Sequence, residues 1–412
     1  MKTRIQQLKK RLCYCLLFLT INIVAQMTNE GQFTVLPDTP VSILSDFQNT
    51  NSGNIIQNGE VYFHKNYNNE GQYTYNSSFS KGTSHFIGSS IQQILSSNMS
   101  IFYKILFNNS TSNHAFNLIG ELYIENESTF NLGIIEGRTS TDRFIFGEEG
   151  RHINTSNNSF VDGSVEKLGT TNFNFPVGAN NYYRRLSISN PNNTDDLFLS
   201  EYYNETSNTQ YPHSQKEEVI EFIDNQEYWT LIRKNGNSNI FVTLTWNENT
   251  TSSQILSGDL TELHVVRWDI EKQEWIDEGG IVNEQNKEVT TIASVENYGV
   301  FTLARVKQPV VVDCLTIYNY ITPNSDGVND VLKVECIENY PNNSMEIFNR
   351  WGNQVYYSEN YNNLTNVFRG FSDGRATIKR SDLLPTGTYF YIFKFVDNNS
   401  QNITKTGWVY LH

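Results

Sequence analysis

The chain has 412 residues, 18% of them charged and 13% aromatic, with a formal net charge of −14. That length holds two or three domains with a sizeable core, and the excess of carboxylates argues against nucleic acid or anionic lipid as a partner. Hydrophobic residues, 38% of the total, are spread along the whole chain, which excludes a disordered polypeptide, and the aromatic content favours β-structure.

Residues 1–25 stand apart. Lys2, Arg4, Lys9, Lys10 and Arg11 give a basic start, "LCYCLLFLTINIV" follows, and Ala25 closes the segment. This is the pattern of a secretory signal peptide cleaved after Ala25. The apolar run is short for a membrane span, and Cys15 comes too early in it for a lipid attachment site. Without these residues the chain is −19, because all five charges lost are basic. No later segment has the unbroken apolar length needed to cross a bilayer.

Residues 26–60 read as polar and irregular. Short apolar runs then follow at nearly regular spacing, among them "EVYFHK", "SHFIG", "SIFYKILF", "ELYIEN" and "RFIFG", parted by Gly, Asn and Ser. Residues 26–170 are therefore expected to form a β-solenoid or a sandwich. Residues 161–190, punctuated by Pro176 and Gly178, read as a junction into a region taken as residues 171–306, whose alternating runs "EYWTLIRK", "NIFVTLTWN", "LTELHVVRWD" and "YGVFTLARV" predict a β-sandwich. Trp268 and Trp275 are expected to meet across a hairpin, as a cross-strand pair or as a platform for a carbohydrate ring.

Residues 307–313 read as a linker, and residues 314–412 as a last, almost neutral β-domain. "SMEIFNRWGNQVYYS" is a hairpin with its tight turn at Gly352-Asn353. In "LLPTGTYFYIFKFVD", Tyr389, Tyr391, Phe393 and Phe395 share one face, and Phe390, Ile392, Lys394 and Val396 the other, as in a central strand. Cys314 and Cys336 are the two cysteines outside residues 1–25, and in an exported protein they suggest one disulfide.

The succession "TPNSDGVND", "YPNN", "IFNRWGNQVY", "LPTGTYFY" and "TGWVYLH" resembles the gliding motility-associated C-terminal domain of Bacteroidetes, the type B sorting domain of the type IX secretion system. The resemblance covers residues 314–412. It implies an Ig-like β-sandwich that directs its passenger across the outer membrane, often to the cell surface. It carries the motif roles to Pro323, Asn324, Asp326, Gly327, Asn329, Asp330, Asn349, Arg350, Trp351, Gly352, Gly387, Tyr389 and Gly407. The family commonly has cysteines where Cys314 and Cys336 stand, and its Asn-Gly-Asp-Gly reads Asn-Ser-Asp-Gly here. Ser325 is harmless unless that position requires φ > 0. "FNFPVGANNYYRRLSIS" and "YGVFTLARV" more weakly resemble regions that precede such domains in Bacteroidetes surface proteins.

No catalytic motif is present. The seven His residues are scattered, and none belongs to a metal-ligand or nucleophile signature. A calcium site on Asn324, Asp326, Asn329 and Asp330 fails the EF-hand spacing. The expectation is an all-β, non-enzymatic, secreted or cell-surface protein without cofactor or metal, possessing a role in gliding or adhesion. Its partners are expected to be the type IX machinery and, as a second candidate, a surface polysaccharide. The alternatives are a carbohydrate-binding adhesin and a glycoside hydrolase, which needs only two facing carboxylates.

Overall fold

The computed structural model describes residues 26–79, 81–307, 314–372, 383–397 and 401–412; the expected signal peptide and the expected linker beyond Lys307 lie outside these residues. The regular structure of the described chain is nearly all β, 52% strand against 4% helix.

A parallel β-solenoid begins at once, so residues 26–60 are ordered strands rather than an irregular lead. Gln26–Asn29, Gln32–Val35 and Pro40–Ile43 form the three sides of the first coil, and each pairs in parallel with its counterpart in the next. Inward positions stack in register: Ile43, Phe63, Phe86, Phe107 and Phe130 form one column across successive coils. Ring centroids along it lie 5.1 Å, 5.6 Å and 5.9 Å apart from Phe63 to Phe130. At a corner, polar side chains do the stacking. Asn29 Nδ2 donates to Asn49 Oδ1 at 2.8 Å, Asn49 Nδ2 to Asn69 Oδ1 at 2.7 Å, and Asn69 Nδ2 to Ser100 Oγ at 3.0 Å. An in-register parallel stack lets each buried amide satisfy the next, which a core without water requires.

The last solenoid strand, Ser164–Leu168, is parallel to Arg143–Phe146 on one side and antiparallel to Leu197–Tyr203 on the other. The solenoid sheet thus runs without a break into an antiparallel sandwich. The second sheet of that sandwich is built from Phe173–Phe175, Leu186–Ile188, Val242–Thr245, Glu288–Thr290 and Ile281–Asn283. Between the sheets, Arg184 is buried against Glu227 at 2.8 Å, also donates to the Thr245 carbonyl at 2.7 Å, and lies over the Trp229 ring.

The C-terminal domain is a five-stranded sheet with Gly387–Val396 near its centre, flanked by Asn402–Leu411 and Asn343–Phe348. Met345, Ile347, Tyr391, Phe393 and Val409 point inward and are covered by Leu332, Tyr340, Tyr361 and Phe368 from irregular segments. This core is separate from that of the solenoid and sandwich.

Candidate functional site

The motif residues fall into three turns. Residues 322–330 fold back on themselves, with the Thr322 amide donating to the Asn329 carbonyl at 2.7 Å. Asn324 Oδ1 accepts from the Asp326 amide at 3.0 Å, and Asp326 Oδ1 from the Val328 amide at 2.8 Å, two successive Asx turns. Asp330 closes the loop: Oδ1 accepts from the Ser325 amide at 2.6 Å and Oδ2 from the Gly327 amide at 2.7 Å. The Val328 amide, with the Asn324 side chain next, holds the Asp326 carboxyl below its ordinary range. The carboxylates are thus already engaged as acceptors for the loop's own amides. Pro323 packs beside Gly370.

Ser325 has φ of +64° and Gly327 +90°. The position where the family carries its first Gly does require the left-handed region, so this serine bears a backbone strain a glycine would not. Cys314 and Cys336 are joined in a disulfide with Cα atoms 5.8 Å apart, which ties the start of the domain to the end of this segment.

The second turn joins Asn343–Phe348 to Gln354–Glu359. Asn349 Oδ1 accepts from the amides of Trp351 and Asn353, both at 3.0 Å, and Gly352 takes φ of +76°. Arg350 is exposed and stacks over the Trp351 ring at 4.0 Å; Trp351 is itself 50% exposed. In the third turn, the Tyr389 hydroxyl donates to the Pro385 carbonyl at 2.8 Å, and Gly387 opens the central strand. Gly407 lies across from Tyr391, whose ring occupies the space a Cβ would need.

Strand register brings these turns to one end of the sheet. Gly387 and Ile321 both pair with Leu411, and Phe348 pairs with Phe390, so the chain leaves the sheet at the same edge for residues 322–330, 349–353 and 385–387. The end is rimmed by exposed Val328, Arg350, Trp351 and Leu383. Gly407 and the disulfide stand farther back and support the fold.

Outside this domain the expected chemistry is sparse. Trp268 and Trp275 do meet, at 5.8 Å, but both are buried, and Trp275 Nε1 donates to the Tyr211 carbonyl. They are core and present no platform to a sugar. His264 sits 2.7 Å from Asp277, and His85 2.6 Å from Glu60. Sequence reading missed the group of His114, Glu136 and Asp162. Glu136 and Asp162 face each other across neighbouring strands, His114 lies 4.0 Å from each, and burial pushes Asp162 up to about 6. Among the described residues, no three or more His, Cys, Asp or Glu are arranged to hold a metal ion. No described helix is long and apolar enough to cross a membrane.

The C-terminal part of the chain is thus a disulfide-closed β-domain whose turn motifs gather at one end of a single sheet. Residues 315–411 match the family model of the CHU_C type IX secretion signal domain, and this part of the chain is such a C-terminal sorting domain. No curated protein matches the chain. The domain implies engagement of the type IX secretion machinery and export to the cell surface or the extracellular space.

Proposed function

We propose that the protein is a non-enzymatic β-protein displayed outside the cell, with residues 26–306 as passenger and residues 314–412 as the label that the secretion machinery reads. A signal peptide at residues 1–25 takes it to the periplasm, and the sorting domain takes it on. The surface read is the end of the sheet formed by residues 322–330, 349–353 and 385–387. The passenger acts at the surface in gliding or adhesion. The observation that carries this reading is the match of residues 315–411 to the secretion signal family. The acidic, uninterrupted solenoid and sandwich suit a soluble, extended surface element.

The test is fractionation of cells expressing the full chain or a chain ending at Lys307. The full chain is expected at the surface or in the medium, and the truncated chain in the periplasm. Equal export of both chains overturns the proposal.

A further inference from the structure

The sheet of the sorting domain has two faces, and only one belongs to the domain's own core. On the other face stand Glu346, Phe348, Phe390, Ile392, Lys394, Thr406 and Trp408, by strict alternation with the core residues. In an isolated domain this face would meet water. Yet Phe348 is only 8% and Ile392 only 1% exposed, and neither belongs to the domain's core cluster.

The sandwich supplies cover. The Phe241 ring meets Phe348 edge to face, with centroids 5.7 Å apart. A Cβ placed on Gly352 would come within 2.8 Å of Phe241, so the glycine that makes the hairpin turn also admits this ring. Beside Ile392 in register, Thr406 donates its hydroxyl to the Gly280 carbonyl at 3.3 Å. Phe241 precedes a strand of the sandwich's second sheet, and Gly280 precedes another. The one carboxylate at this point of the face does not oppose docking, because Glu346 takes hydrogen bonds from Lys394 and Gln354, both at 2.9 Å.

We infer that the outer face of the sorting sheet is a docking surface whose occupant is this chain's own sandwich at Phe241 and Gly280, so that passenger and label form one body with the recognition end held in a fixed orientation. Apolar side chains buried on both partners resist separation. The inference concerns the folded protein alone and stands or falls separately from export.

The test uses the chain from Gln26 to His412 in four forms: unaltered, Phe241→Asp, Thr406→Arg, and the two substitutions together. Small-angle scattering and calorimetry are read on each. The unaltered chain is expected to scatter as a compact monomer. Each variant should enlarge the radius of gyration and lower the melting of the C-terminal domain by about 5–10 °C, the range expected for losing a modest contact from a domain of this size. The double variant should do no more than either alone, because both open the same contact. Dimensions and melting unchanged in both single variants overturn the inference. So does an unaltered chain that is a dimer and that the variants dissociate, since the face would then pair with a second copy.

Discussion

The sorting domain and the solenoid are both built from strands, yet they are specified in opposite ways. In the sorting domain, single residues carry fixed duties: Asp330 holds two amides, Asn349 holds two more, and Gly407 leaves room for Tyr391. In the solenoid, duty falls on columns. Asn29, Asn49 and Asn69 do one job, and Phe63, Phe86, Phe107 and Phe130 another. A column tolerates any residue of similar shape, whereas a turn with φ > 0 or a doubly accepting carboxylate does not. The family match lies in the region of fixed duties, residues 315–411.

Substitutions in the two regions should separate accordingly. The largest effect is expected in the sandwich between them: Arg184→Met strands Glu227 in the core and should cost about 3–5 kcal/mol in denaturant unfolding. Cys314→Ser opens the disulfide loop and should cost the sorting domain about 3 kcal/mol, seen as an early calorimetric transition that reducing agent reproduces in the unaltered chain. Asn69→Ala removes one acceptor of the buried Asn49 amide, which keeps the Gln72 carbonyl at 3.0 Å, and the donor to Ser100, and should cost the solenoid about 1–3 kcal/mol, without moving the sorting domain's transition. The smallest effect has the opposite sign. Ser325→Gly removes left-handed strain and should stabilise the sorting domain by about 0.5–1 kcal/mol, with export unchanged.

One pH effect belongs to the sandwich. Burial, reinforced by Glu227, pushes Asp224 up to about 7. Its folded pKa is above the unfolded value near 4, so the folded state holds the proton longer. The Asp224 contribution to stability should therefore fall as pH rises from about 4 to about 7. The stability of the unaltered chain minus that of Asp224→Asn should decline over that window; a flat difference would contradict the assignment.

Much of the fold was legible because it rests on local pattern. The alternation at Tyr389–Val396 gave a central strand, "RWGNQ" gave the hairpin, and the regular short runs pointed to coils. The first solenoid coil was missed because its strands of four residues bury few apolar side chains: Met27, Phe33 and Val41 are only partly covered at the end of the stack. The buried Arg184–Glu227 pair spans 43 positions, and no local pattern announces it. The motif residues were legible one by one, but their gathering at one end follows from strand register, which composition does not encode. Trp268 and Trp275 show the converse: their pairing was readable, whereas their burial depended on Tyr211 from a distant loop.

The central claim is that the C-terminal domain suffices as an address. The most direct measurement is to fuse residues 308–412 behind a fluorescent passenger that carries its own periplasmic signal, and to follow it by protease shaving of intact cells in a host with the type IX system. The account predicts a protease-accessible passenger at the surface or in the medium, lost when the same host lacks the secretion machinery. A passenger that stays protected in the periplasm although the fused domain is folded and oxidised would contradict it.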